Sequence, residues 1–318
     1  MTVAVSVVVL THNEALNIER CLRSVSGWCR DLHVVDSGST DETIEIARRY
    51  TNLVHHHDYV DHASQWAWVF ATVPLQTEWL LLLDADNEVS AALRGQIAHV
   101  MNHPQAGVNG YYSVHTHVFR GRQVRGLKRW WLRLVRLQET TVDNSELVDF
   151  RLIVRGKTGF LPGDIVEHNL KENEIDFWID KHQKFSTRMA AEEVLRRTGY
   201  LSWAFKPRLF GNPDERMTWF KSRWYAAPLF VRPFLYFAYR YLVKKGFLDG
   251  SNGFVYHFLQ AFWFRLLVDI KMAAIYDRIS RAEYSLAELA TEYGHTAGQS
   301  SPMDAFPTSL QVDVLGHS

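Results

Sequence analysis

Two carboxylates one residue apart, Asp84 and Asp86, follow directly on the apolar run Trp79–Leu83 in "EWLLLLDADNEVS". A run that short and that apolar predicts a strand buried on both faces rather than a surface helix. Carboxylates at the carboxyl end of such a strand stand where open α/β sheets bind their ligands. Holding them there without compensation is costly, so the pattern calls for a positive partner, either a metal ion or a basic group on a ligand. The plainer alternative is a turn at the strand end, with Asp86 and Asn87 bonded to backbone.

A second strand end carries Asp36 in "VVDSGSTDET", followed by Ser37, Gly38 and Ser39. An acceptor there can read the N–H of a base or the hydroxyls of a ribose, and small residues allow close backbone approach. Thr40 and Asp41 read as ordinary caps of the helix that follows. Neither G-x-G-x-x-G nor a P-loop occurs, which weighs against dinucleotide-dependent and NTPase chemistry. His55, His56 and His57 are adjacent, and neighbours on a strand alternate faces, so the three cannot converge on one ion.

The elements that must hold these groups alternate. Val3–Leu10 reads as a strand, Glu14–Trp28 as a helix with Asn13 as its cap, and Leu32–Val35 as a second strand. A helix through Tyr50, a weaker strand in "NLVHHH" and a helix over Asp61–Val73 lead into the apolar run. Ser90 then caps a helix through Met101. Strands and helices joined this closely predict a doubly layered α/β sheet with parallel strands and right-handed crossovers. Of the 318 residues, 47% are hydrophobic, which excludes global disorder. The 35 basic and 35 acidic residues cancel, which argues against a nucleic-acid partner for the whole chain. The charge is unevenly spread, however. Arg120–Arg136 carries seven basic residues and no acid, and Arg216–Leu248 repeats that count with eleven aromatics. "DFWIDKHQKFSTRMAAEEVLRR" between them is an amphipathic helix. The N-terminus shows no signal peptide, and the two cysteines, Cys21 and Cys29, form no zinc or disulfide pattern, so a cytoplasmic location is expected.

Three pieces in this order, "VVLTHNEALNI", "VVDSGSTDETIEIA" and "LLLLDADNEVS", resemble the family 2 glycosyltransferases of the GT-A type. The likeness runs on through "VEHNLKENEIDFWIDKHQKF" and the later "PRLFGNP" and "GFLDGSNGFVYHFLQAFWFRLLVD", over roughly residues 3–280, and looks like a bacterial branch that builds lipopolysaccharide, exopolysaccharide or capsule chains. It implies a GT-A α/β domain with a helical, basic and aromatic C-terminal region, and a metal-dependent enzyme that inverts configuration as it moves a sugar to a hydroxyl. It makes the last piece a D-x-D motif, with Asp84 on the nucleotide side and Asp86 binding Mg²⁺ or Mn²⁺ against the donor's diphosphate. Thr11 and Glu14 then line the nucleotide pocket and Asp36 contacts the base. Gln65 occupies a family position in "SQWAWVF", but the basic residue usual beside it is missing, so the phosphates must be neutralised from elsewhere. An inverting transferase needs a base for the acceptor hydroxyl. Asp149 and Glu146 in "SELVDF" are the candidates, Asp149 by match to the family's position. His168 in "VEHN" is the candidate third ligand or phosphate donor.

The expected division is a catalytic domain over 1–200, with a nucleotide-sugar half (1–115) and an acceptor half (116–200), a membrane-associating helical region over 201–283, and a mobile tail over 284–318. Expected partners are a UDP-, GDP- or dTDP-sugar, a glycan or polyprenyl-linked acceptor, and the inner face of the cell membrane, with no nucleic acid. The longest apolar stretches fall short of the roughly 20 residues a crossing helix needs, so interfacial helices are expected. A homodimer surface is the other use of the same residues. The alternatives in function are a nucleotidyltransferase, for which "LTHNEALN" lacks a triphosphate loop, and a catalytically silent glycan- or lipid-binding module.

Overall fold

The computed structural model describes residues 2–293. Its centre is a mixed sheet. The strands are β1 (Val3–Thr11), β2 (Cys29–Asp36), β3 (Val54–His56), β4 (Trp79–Asp84), β5 (Asn87–Val89), β6 (Val108–Phe119), β7 (Arg122–Gln123), β8 (Arg129–Arg136), β9 (Thr140–Asp143), β10 (Arg151–Val154) and β11 (Lys157–Glu167). The main order is β3-β2-β1-β4-β8-β6-β11-β5, with β7 paired to β6 and β9–β10 forming a separate ribbon. Strands β3, β2, β1 and β4 are parallel, as the alternation of strand and helix predicts. Beyond β4 the sheet becomes mixed: β8 is antiparallel to both β4 and β6, β6 and β11 are parallel, and β5 is antiparallel to β11. The expected class, an α/β sheet followed by a helical C-terminal region, is what the chain adopts.

Burial explains the element choice. Val5 and Val7–Val9 of β1 and Leu80–Leu83 of β4 are almost fully buried, which only a strand covered on both faces achieves. One face is covered by helices α1 (Ile18–Val25) and α4 (Ala91–Asn102), which bring Ile18, Leu22, Val25, Leu93 and Ile97 onto Val5, Val7, Leu81 and Leu83. Between them in the chain lie α2 (Thr43–Arg48) and α3 (His62–Thr72). The other face is covered by α3 and the ribbon, through Trp66, Val69, Phe150 and Leu152 against Val8, Leu80 and Leu82.

Two local expectations need correction. The first helix starts at Ile18, not Glu14, and Asn13 does not cap it. Asn13 is in the left-handed region, at φ 52°, where Asn is among the few tolerated residues. There its Oδ1 accepts from the Thr40 N–H at 2.7 Å and its own N–H donates to Ser39 Oγ at 2.8 Å, joining the loop after β1 to the loop after β2.

The C-terminal helices are α5 (Ile175–Arg197), α6 (Pro213–Ala226), α7 (Arg232–Ala238), α8 (Gly250–His257), α9 (Phe264–Ser280) and α10 (Leu286–Glu292). Helix α5 buries Trp178, His182, Ser186, Ala190 and Val194 at four-residue spacing, the stripe an amphipathic helix presents. Trp178, Ala191 and Leu195 pack with Phe119 and Val124 from the β6–β7 hairpin and with Phe264, Val268 and Met272 of α9. Part of the expected tail is ordered: α10 has a capping box from Ser285 and Glu288 and buries Leu289 and Ala290. The rest of it lies outside the described residues.

Within this helical layer, Arg232 donates through Nε to Asp269 Oδ1 at 2.8 Å and through Nη1 to Glu193, with all three side chains at 0–1% exposure. Asp269 Oδ2 also accepts from the Phe230 N–H at 2.7 Å. Removing the cation leaves two buried carboxylates without their partner. Arg232→Ala is therefore expected to cost about 3–5 kcal/mol, read from urea denaturation followed by circular dichroism. A loss below about 1 kcal/mol, the range of exposed pairs, would contradict this account.

Candidate active site

The carboxyl ends of β1, β2 and β4 stand side by side, with Thr11 in register with Asp36 and Leu10 with Asp84. Thr11 is buried, and its Oγ1 has no partner among the described residues. Its carbonyl accepts from the Ser37 N–H at 3.0 Å. The Asp36 carboxylate turns back on its own loop: Oδ2 accepts from the N–H groups of Gly38 and Ser39, both at 2.9 Å, and Oδ1 from Ser39 Oγ at 2.5 Å. Gly38 is at φ 82°, which a glycine takes without strain. Gln65, on α3, ties the same loop to β3. Its Nε2 donates to Ser37 Oγ at 3.2 Å and to the Asp58 carbonyl at 3.0 Å, and its Oε1 lies 3.0 Å from His57 Nδ1. The three adjacent histidines do diverge: His55 meets His33, His56 meets Asp58, and His57 meets Gln65.

Asp84 ends β4 between Arg133 and His62. Arg133 Nη2 on β8 lies 3.3 Å from Oδ2, and His62 Nε2 lies 3.2 Å from Oδ1. Burial works against the Asp84 charge, but Arg133 and His62 outweigh it and hold its pKa below the ordinary carboxylate range. Burial alone would depress His62, and Asp84 more than reverses that, raising its pKa. His62 is fixed by the start of α3, where the Asp61 side chain caps the helix through the Ser64 N–H at 2.7 Å, and by stacking on Phe150. The sequence pattern assigned Arg133 to a basic run and gave no role to His62.

Asp86 faces a different environment. Its Oδ1 accepts from Asn87 Nδ2 at 2.8 Å and its Oδ2 from Asn169 Nδ2 at 3.1 Å. Its pKa is pushed well up, first by burial and then by the charges of Glu167 and Asp84. A cluster of half-buried carboxylates with surplus negative charge fits a divalent cation, and Asp86 is the residue that would hold it. His168 is not beside that carboxylate: its N–H donates to the Asp86 carbonyl at 2.9 Å, and its ring is influenced by Arg20 and Glu88. The residue before it, Glu167, turns the other way, toward His115 and His117 on β6. Alternation at a strand end separates the two.

Glu14 is paired with Lys171, whose Nζ reaches Oε1 at 2.5 Å, and its Oε2 accepts from Asn17 Nδ2 at 2.6 Å. Asn17 also donates to Asn169 Oδ1 at 3.2 Å and accepts from the Leu170 N–H at 2.9 Å, so the loop after β11 is fastened to the loop after β1. Lys181 on α5, 2.6 Å from Glu172, adds positive charge near Asp86 and Glu167. Lys171 and Lys181 thus bring positive charge from distant sequence to a site that lacks the usual basic residue on α3.

The two candidate bases differ sharply. Glu146 is buried, and Oε1 accepts from Arg151 Nε and Lys221 Nζ, both at 3.0 Å. Burial opposes its charge, yet Arg151, Lys221 and Arg196 outweigh it and bring its pKa down to about 2. A carboxylate so held is a poor proton acceptor near neutral pH. Asp149 instead borders a cavity with Trp131, Arg133, Phe150, Arg151 and Asp214, and accepts only from the Phe150 N–H, at 2.9 Å, among the described residues. Arg133 touches Asp84 and also lines that cavity, so one side chain links the strand-end carboxylates to Asp149.

The Glu146 environment predicts a pH-dependent stability. A carboxyl lowered from 4.5 to about 2 stabilises the fold above pH 4.5, and that contribution fades as the pH falls through 2. Glu146→Gln should unfold at lower urea than the parent at pH 7, and the gap should narrow steadily below pH 4.5. A gap that is constant or widens on acidification contradicts the ion-pair account.

Residues 6–150 match the family model described as glycosyl transferase family 2. An uncharacterized glycosyltransferase of Rickettsia bellii is 34% identical over 100 residues, covering 31% of this chain and 33% of that one. Another, of Rickettsia typhi, is 22% identical over 258 residues, covering 77% and 81%. The first alignment thus spans about a third of that relative's length. Among solved structures, the glucosyl-3-phosphoglycerate synthase of Mycobacterium tuberculosis, in complex with Mn²⁺ and UDP, is similar at 20% identity and a TM-score of 0.29, over 36% of this chain and 44% of that one. The matched segment runs from β1 to the strand-end carboxylates and on to Phe150, so this part of the chain is similar to glycosyl transferase family 2.

Proposed function

We propose that the chain is an inverting glycosyltransferase that moves a sugar from a nucleotide-sugar to a hydroxyl of a lipid-linked cell-envelope glycan. The observation that carries this reading is the arrangement around Arg133, with a carboxylate pair at the strand ends on one side and a cavity bordered by Asp149 on the other. Asp149 takes the proton of the acceptor hydroxyl as it attacks the anomeric carbon, and the nucleoside diphosphate leaves from the opposite face. The orphan Thr11 hydroxyl and the loop of Asp36 receive the nucleotide. A divalent cation, Mg²⁺ or Mn²⁺, when bound, offsets the charge of the diphosphate. Asp86 holds that ion, and Lys171 and Lys181 supply further positive charge.

The acceptor side of the proposal rests on helix α7 and the turn beyond it. Phe234, Leu235, Leu242 and Val243 are 58–67% exposed, beside the exposed Lys244 and Lys245. No helix among the described residues is long and apolar enough to cross a membrane. An apolar face edged with lysines suits a helix lying in an anionic lipid surface, here the inner face of the cell membrane. Lys221 is committed to Glu146 and Trp224 packs on Tyr236, so neither belongs to that face.

Release of nucleoside diphosphate from UDP-, GDP- or dTDP-sugars in the presence of lipid-linked acceptor tests the transfer. Asp149→Asn is expected to lower that rate by about 10²- to 10⁴-fold with donor affinity retained. Asp86→Ala should abolish turnover with little change in melting temperature. Equal rates in the Asp149 variant remove the base assignment, and donor binding without any release favours a silent binding module. Vesicle co-sedimentation tests the surface. The parent should pellet with anionic vesicles at low salt, and Lys244→Gln with Lys245→Gln should weaken this by about 1 kcal/mol per charge. A parent that stays in the supernatant and sediments as a dimer assigns the apolar face to a second copy.

A further inference from the structure

We propose that His115, His117 and Glu167 form a binding site for a divalent transition-metal ion, with a ligand set that includes neither carboxylate of the D-x-D motif. The placement follows from strand geometry. His115 and His117 are two residues apart on β6 and so share one face of the sheet. Glu167, on the parallel neighbour β11, is in register with His117. Its Oε2 lies 3.1 Å from His117 Nδ1 and 3.7 Å from His115 Nδ1, and one ligating atom from each residue falls within 4.8 Å of the others. A tetrahedral ion with bonds of roughly 2.0–2.2 Å sets its ligands about 3.3 Å apart. Small side-chain rotations therefore bring all three onto one ion.

A second observation points to a ligand. His115 is 1% exposed, and neither of its ring nitrogens has a partner among the described residues. Burying a polar group without a partner is costly, and a metal bond to one nitrogen would remove much of that cost. Stacking on Trp131, with ring centroids 4.4 Å apart, holds the His115 ring in place. His117 and Glu167 are 17% and 25% exposed, which leaves a side open for entry and for a further ligand. Two imidazoles with one carboxylate select ions that favour nitrogen, such as Zn²⁺, Co²⁺ or Fe²⁺, over Mg²⁺. The rival account is a purely protein cluster in which Lys181, already bonded to Glu172, neutralises Glu167.

The two metal assignments separate when Asp86 is replaced. Metal-stripped Asp86→Asn protein is titrated with Co²⁺ alone, and its visible absorption is recorded. One Co²⁺ per chain with bands of imidazole ligation is expected. Adding His117→Asn or Glu167→Gln in that background should weaken it by at least about 10-fold. His117 is the preferred target because it is less buried than His115, and circular dichroism checks that each variant is folded. Absence of Co²⁺ binding in folded Asp86→Asn protein, or binding unchanged by both added substitutions, overturns the site. Either result leaves the transfer reading intact, since that reading places its ion at Asp86.

Discussion

Asp84 stands at the end of a strand whose other residues, Trp79–Leu83, are buried, and Arg133 and His62 hold its charge there. Much of the site is arranged by that requirement. Arg133 must come from β8, so β8 has to lie beside β4, and it does so antiparallel to it. His62 must come from the first turn of α3, which fixes where that helix begins. The same cation that stabilises Asp84 then forms one wall of the cavity next to Asp149. Electrostatic compensation at the strand end and the shape of the cavity beside Asp149 are thus consequences of a single side chain.

Asp86, two residues on, has no such cation in contact among the described residues and is held by amides from Asn87 and Asn169. The difference between the two carboxylates is chemical. One is neutralised by the protein, and the other keeps acceptor capacity beside the further negative charge of Glu167. The loop after β11 is what brings Asn169 there, and Asn17 and Lys171 fasten that loop to the loop after β1. Loops widely separated in sequence therefore share one set of hydrogen bonds. Movement of any of them alters the surroundings of Glu14 and of Asp86 together.

The helical layer is coupled to the sheet by ion pairs rather than resting on it passively. Glu146 joins Arg151 at the start of β10 to Lys221 on α6, and Tyr112 of β6 donates to Asp214 at 2.6 Å. Arg232 gathers Glu193 from α5 and Asp269 from α9. Buried ion pairs contribute little net stability compared with apolar packing, but losing one partner is severe. They fix the orientation of α6 and α7, and with it the direction in which Phe234, Leu242 and the exposed lysines face.

The sequence alone determined the alternation of strands and helices, the buried character of β1 and β4, and the D-x-D stretch. Those features are local: runs of β-branched and aliphatic residues, helical spacing, and caps such as Asp61 and Ser90. It also singled out Asp149 and Glu146 but could not rank them physically, because their difference lies in Arg151, Lys221 and Arg196. Only the tertiary structure decided that Asn13 joins two loops instead of capping a helix, and that Glu167 rather than His168 turns toward the histidines of β6. It alone decided that Arg133 and His62 attend Asp84. Each of these depends on the register of strands distant in sequence, and a one-residue change in register reverses which side chain faces the site. Local pattern carries no information on that register, since it is set by the packing of the whole sheet.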